Sequence, residues 1–107
     1  MIEIVRGGNK AYRFKINTSD GHTLLNSIDF SSEEEIHNTI KNLNPLLDKQ
    51  NIFQRRTDHS GKFLFMLRDA SGKVIGNSLL YSSEAGMENG IKNLKNRIAS
   101  IYNQNTL

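Results

Sequence analysis

The 107-residue sequence contains no cysteine, a single proline and only eight aromatic rings, three tyrosines and five phenylalanines. Without cysteine there is no disulfide and no thiolate zinc ligand. No apolar run approaches the ~20 residues that span a bilayer as a helix. The first ten residues, MIEIVRGGNK, carry an acid and only a short apolar run, unlike a secretory leader. A cytoplasmic protein with no membrane association is the expectation. Charge of either sign is also modest: 14 basic residues against 11 acidic give a formal +3. That total alone is weak support for a nucleic-acid partner, which requires cations clustered toward phosphates.

What the sequence does contain is a repetition. FSSEEEIHNTIKNLN at 30–44 returns as YSSEAGMENGIKNLK at 81–95, an offset of 51 residues. The same offset aligns Tyr12, Phe14 and Ile16 with Phe63, Phe65 and Leu67, and Gly21 with Gly72. It also aligns Asn26-Ser27 with Asn77-Ser78, and no gap is needed. The chain is therefore read as one domain, 1–107, made of two repeats at about 1–50 and 51–107, because two independent cores of this size would be too small.

Each repeat has the same local grammar. Tyr12, Phe14 and Ile16 alternate with Arg13, Lys15 and Asn17, the period of a half-buried strand. Thr18-Ser19-Asp20-Gly21 and Asp69-Ala70-Ser71-Gly72 are hairpin turns, leading into second strands at about 22–30 and 73–81. Shorter strands precede them, IEIV at 2–5 and roughly IFQRR at 52–56. They are joined through turns at Gly7-Gly8-Asn9 and Asp58-His59-Ser60-Gly61.

The quoted passages are helices. Ile36, Ile40, Leu43 and Leu47 recur at helical spacing, as do Met87, Ile91, Leu94 and Ile98. Ser32 and Glu35 have capping-box spacing, whereas Gly86 replaces the acid in the second copy. Pro45 ends or kinks the first helix near Asn44. The second helix either reaches Tyr102 or yields to a final strand in ASIYN. Two apolar helix stripes covering one face of a shared sheet give an α+β fold.

From Gly61 to Ile91 the residues follow G-K-F-x-F-x-L, then G-x-V-I-x-x-S-x-x-Y-S-S, then E-N-G-I. This pattern resembles the YegP-like family, a small bacterial and archaeal domain of unknown function. The resemblance covers nearly the whole chain but is looser in the first copy, where His37-Asn38-Thr39-Ile40 stands for Glu-Asn-Gly-Ile. It implies two tandem β-β-β-α repeats forming a single antiparallel sheet with two helices on one face and terminal strands exchanged between repeats. It further implies that a two-copy chain is complete as a monomer. It supplies no catalytic, cofactor-binding or metal-binding residue.

The residues themselves offer little chemistry. His22, His37 and His59 lack ligand spacing and are read as solvated surface histidines. Ser27 and Ser78 have no G-x-S-x-G context, so they are read as satisfying backbone groups at a strand irregularity. Glu33, Glu34 and Glu35 suit the positive end of a helix dipole. Gly7 and Gly8 are not followed by the G-K-[ST] of a phosphate loop. Gly86 and Gly90 cost helix stability and imply a close approach of the sheet or the other helix. No enzymatic activity and no cofactor is expected.

One surface rises above this background. If Tyr12, Phe14, Phe63 and Phe65 face the helices, then Arg13, Lys15, Leu64, Met66 and Arg68 face outward, with Gln54 and Arg56 beside them. An open sheet bearing apolar and basic groups suits a protein or peptide partner. Weak electrostatic nucleic-acid binding is the alternative, disfavoured because the aromatic rings lie in the core register and none is left to stack bases.

Overall fold

The computed structural model describes residues 2–6, 11–49 and 52–103, with side chains to residue 101. Its strands are β1 (Ile2–Arg6), β2 (Tyr12–Asn17), β3 (Thr23–Ser27), β4 (Phe53–Thr57), β5 (Phe63–Arg68) and β6 (Val74–Asn77). Helix α1 (Glu33–Leu43) follows β3, and α2 (Glu84–Asn103) follows β6. The six strands form one antiparallel sheet in the order β1-β2-β3-β6-β5-β4. At its centre Asn26 pairs with Asn77, each being the other's counterpart at the 51-residue offset. The strand order reads alike from either edge, each strand lying where its counterpart 51 residues away lies from the other side.

The expected exchange of terminal strands is not present. β1 stays beside β2 and β4 beside β5. Only five residues separate the members of each pair, and so short a link returns a strand to its immediate neighbour. What crosses between halves is helix packing. α2 lies against β2 and β3 of the first half as well as β5. Grooves beside the helices repeat the crossing: Thr18 and Ser19 face Asn93 and Arg97, while Asp69 and Ala70 face Thr39 and Asn42.

Alternation along the strands sets one face toward the helices. Phe14, Ile16, Phe65 and Leu67 are fully buried and join Ile36, Ile40, Leu43, Leu94 and Ile98 in one cluster. Each such side chain contributes roughly 1.5–3 kcal/mol on burial. Tyr12 and Phe63, at the strand starts, are half-buried.

The second strands are shorter than the expected 22–30 and 73–81, and serine is the reason. Ser27 Oγ accepts from Phe14 N–H at 2.8 Å and donates to the Ile28 carbonyl at 2.7 Å. Ser78 Oγ repeats both bonds, with Phe65 N–H at 3.0 Å and the Leu79 carbonyl at 2.8 Å. The hydroxyl replaces a ladder carbonyl, and pairing resumes only at the bridges Tyr12–Phe30 and Phe63–Tyr81.

Helix α1 begins as its sequence requires: Ser32 Oγ accepts from Glu35 N–H at 3.1 Å. The other half of the box is altered, since the Glu35 carboxylate takes the Ser31 hydroxyl at 2.6 Å. In α2, Ser83 Oγ accepts from Gly86 N–H at 3.0 Å, so the serine cap survives loss of the acid. After α1, Asn44–Leu46 form a 3-10 turn through Pro45. α2 runs unbroken to Asn103, which excludes a final strand in ASIYN.

Two turns of the second half share one design. Asp58 Oδ1 accepts from Ser60 N–H, Ser60 Oγ and Lys62 N–H, and Asp69 Oδ1 accepts from Ser71 N–H, Ser71 Oγ and Lys73 N–H. Gly61 and Gly72 follow at φ 84° and 88°, a backbone that glycine adopts without strain. In the first half Thr18 Oγ1 accepts from His22 N–H at 3.0 Å in place of the carboxylate. The Gly7-Gly8-Asn9 turn lies outside the described residues.

Gly86 and Gly90 answer to a side chain and not to the sheet backbone or to α1. A Cβ on Gly90 would collide with the Tyr81 ring and hydroxyl, and one on Gly86 would press on Ser83 Oγ at 3.1 Å. Tyr81 thereby lies under α2, its ring stacked on Phe65 at 6.4 Å, and this burial raises its pKa.

Candidate functional site

The outer face of the sheet carries the side chains that alternate with the core. Strand register arranges them in rows. One row reads Glu3, Lys15, Asn26, Asn77, Met66, Gln54 across all six strands. All six residues named at the outset lie on this face. Arg13 and Lys15 stand on β2, Arg56 on β4, and Leu64, Met66 and Arg68 on β5. They do not form one patch: β3 and β6 separate Arg13 and Lys15 from the other four.

The two halves of the face differ in chemistry. In the first, Arg13 Nε donates to Asp29 Oδ1 at 2.5 Å, and Glu3 stands directly opposite Lys15. Their cations are therefore matched by acids of the same surface. In the second half, Leu64 takes the place of Arg13 and Leu80 that of Asp29. The Phe63–Tyr81 bridge sets Leu80 across from Leu64 just as Tyr12–Phe30 sets Asp29 across from Arg13. An ion pair has become a pair of leucines.

Leu64 and Met66 are half-buried by their neighbours, whereas Leu79 and Leu80 are 51% and 56% exposed. Leu79 and Leu80 also border a groove of about 410 Å³ shared with Leu24, Tyr81 and Asn89. Arg68 is held by Gln54 Oε1, which accepts from both Nε and Nη2, and by the Gly72 carbonyl at 2.5 Å. Among the described residues, no hydrogen bond or ion pair engages the Arg56 side chain, whose backbone pairs with Leu64. Sequence reading found Leu64 and Met66 by alternation but missed Leu80. The 51-residue offset held the signal, a leucine at the position of an aspartate.

The remaining titratable groups do not converge. Asp20 and His22 face each other at 3.5 Å on an exposed turn. His37 corrects its reading as a solvated side chain: it is half-buried and its Nδ1 is enclosed without a hydrogen-bond partner. Its counterpart Glu88 instead forms a two-point pair with Arg55 at 2.5 and 2.9 Å. That pairing lowers the Glu88 pKa and raises that of Arg55, chiefly through the shared hydrogen bonds. Among the described residues, no three His, Asp or Glu side chains gather where they could hold a metal ion, and no helix is long and apolar enough to cross a membrane.

The sheet order, helix placement and matched turns define a class, α+β proteins with a six-stranded antiparallel sheet and two helices. Residues 58–101 match the profile of a domain of unknown function, DUF1508. The UPF0339 protein YegP of Escherichia coli K12 is 26% identical over 94 residues, covering 88% of this chain and 86% of its own. A UPF0339 protein of Pseudomonas aeruginosa is 26% identical over 84 residues, covering 78% and 76%. The solution structure of yegP from E. coli, described as a protein of unknown function, superposes with a TM-score of 0.81 at 25% identity. That match covers 91% of this chain and 84% of the other. A UPF0339 protein of Shewanella oneidensis superposes at 0.84 with 23% identity, covering 92% and 83%, and speaks to fold alone. These matches support the reading of the chain as YegP-like and show what it is similar to over most of its length.

Proposed function

We propose that this protein is a non-enzymatic accessory domain that docks a protein or peptide segment on the second half of its outer sheet face. The observation that carries this reading is the replacement of the Arg13–Asp29 ion pair by Leu64 and Leu80. Buried leucines need no explanation, but two leucines at positions that the other half fills with charge present an apolar strip to water. Met66 extends the strip, and Arg56 and Arg68 border it. Such a surface suits a partner with apolar side chains flanked by carboxylates.

The cations of the first half are already answered by Asp29 and Glu3, which weakens the nucleic-acid alternative. In this reading the two β-β-β-α units act as one repeat-built domain. The first half provides structure and the second provides the contact.

The test compares capture from the native host by the wild type, by Leu64→Asp/Met66→Asp, and by Lys92→Asp, which changes charge at an exposed helix position. Recovery of a specific partner should fall at least about tenfold with the double variant only. An unchanged partner set from a folded double variant removes the basis of the proposal. Titration with labelled DNA and RNA at low salt tests the alternative, which requires binding that weakens steeply as salt is added.

A further inference from the structure

The two edges of the sheet, β1 and β4, are equivalents at the 51-residue offset and are finished differently. Which backbone groups face outward follows from the ladder. Tyr12 exchanges N–H···O bonds with Phe30, and Phe14 N–H turns toward Ser27, so even-numbered residues of β2 bond toward β3. Arg13 and Lys15 therefore bond toward β1, to their partners Val5 and Glu3. The N–H and C=O groups of Ile2, Ile4 and Arg6 consequently point away from the sheet. By the same reasoning, from Phe63 with Tyr81 and Phe65 with Ser78, the outward groups of β4 belong to Phe53, Arg55 and Thr57.

On β4 this edge is guarded. Arg55 extends along it with Nη1 3.5 Å from the Phe53 carbonyl, and Glu88 anchors the guanidinium. On β1 the equivalent of Arg55 is Ile4, that of Glu88 is His37, and that of Arg56 is Val5, 43% exposed. β1 pairs with β2 over all five residues without a bulge and carries no proline. Both edges are short and free of bulge and proline, and β1 keeps the exposed charges Glu3 and Arg6. Among the described residues, however, the Arg55–Glu88 guard of β4 has no counterpart on β1.

We propose that β1 is a self-association edge, pairing antiparallel with β1 of a second copy to continue the sheet across two molecules. The strand is complementary to itself. A twofold axis through Ile4 sets Ile4 opposite Ile4, Ile2 opposite Arg6, and Glu3 opposite Val5. In this register all five residues pair, and the outward groups of Ile2, Ile4 and Arg6 fall into three hydrogen-bonded pairs, or about six bonds. Each side chain keeps its face, with Ile2 and Ile4 on the helix side in both copies. Shifting by one residue reverses the faces, and shifting by two leaves only three pairs. So short a contact belongs to the small, weak class of interfaces, so the dimer forms at high concentration and the monomer expected from the family resemblance prevails when dilute. The proposal is independent of the outer-face docking reading, because it uses the edge and a different partner.

The test is sedimentation of the full chain from about 10 µM to about 1 mM, the range in which weak interfaces respond. The apparent mass should rise from 12.1 kDa toward twice that value. Ile4→Arg/His37→Glu, which copies the β4 guard onto β1, should stay monomeric throughout. Leu64→Asp/Met66→Asp should associate as the wild type does. In the wild type, exchange of the Ile4 and Arg6 amides should slow at least about tenfold between the dilute and concentrated samples, a readout that needs no variant to fold. A wild type that remains monomeric at 1 mM overturns the proposal, even if a foreign peptide strand binds β1. So does a dimer in which those amides gain no protection.

Discussion

Ser78 is 3% exposed, and its hydroxyl serves two backbone groups at once. Removing it leaves the N–H of the fully buried Phe65 without an acceptor, so Ser78→Ala should lower stability by about 1–3 kcal/mol, read from the urea midpoint. Two glycines of α2 give a sharper contrast. Helix propensity alone makes glycine-to-alanine favourable by about 1 kcal/mol at either position. At Gly86 the new methyl meets Ser83 Oγ at 3.1 Å and the Tyr81 ring at 3.7 Å, so the gain should largely persist. At Gly90 it meets the Tyr81 hydroxyl and ring within contact distance, and the sign should reverse, with about 1 kcal/mol or more lost. Thermal melts of the two variants should therefore move in opposite directions, and truncating the ring with Tyr81→Leu should return Gly90→Ala to the propensity trend. If Gly90→Ala stabilises the otherwise unaltered chain, Tyr81 does not require that glycine.

At the scale of single elements, the hairpin turns hold their strands through carboxylates. The pKa of Asp58 is lowered, first by the Lys62 backbone N–H and then by Ser60, and that of Asp69 first by Ser71. A carboxyl whose folded pKa lies below its unfolded value of about 3.9 adds stability above that value and loses it as pH falls through the folded one. The melting temperature should therefore drop below about pH 4, and more shallowly in Asp69→Asn, which no longer titrates. A variant whose acid limb matches the wild type contradicts this role.

These turns, the strands and the helix stripes were legible because each depends on residues within about a dozen positions of one another. The packing of each helix beside the other half's hairpin was not, because it depends on contacts between segments distant in sequence. The seat of Tyr81 beneath Gly90 was hidden for the same reason: glycine in a helix announces a close approach without saying to what. Of the outer face, strand alternation yielded Leu64 and Met66. Leu80 follows a serine that breaks the ladder, where the two-residue period stops carrying information.

For the whole molecule, the central seam distinguishes its two sides. Leu25 and Gly76 are counterparts at the 51-residue offset and meet across the β3–β6 boundary. A Cβ on Gly76 would lie 2.7 Å from the Asn26 carbonyl oxygen and 3.1 Å from Leu25 Cγ. The leucine of one half thus fills space that the glycine of the other leaves empty. A symmetric pair of first halves would force two leucines into that seam, and a symmetric pair of second halves would leave a void. Each such mismatch costs roughly 1–5 kcal/mol, counting overpacking or an unfilled leucine site. Fragments 1–51 and 52–107, mixed at equal concentration, should therefore combine one to one in preference to either homodimer, as native mass spectrometry can count. Gly76→Leu in the second fragment should abolish that preference by filling its half of the gap, and in the intact chain it should be strongly destabilising. Equal populations of homodimer and heterodimer from unmodified fragments would show that the seam does not distinguish its two sides, and that the asymmetry between the halves is confined to the outer face and the edges.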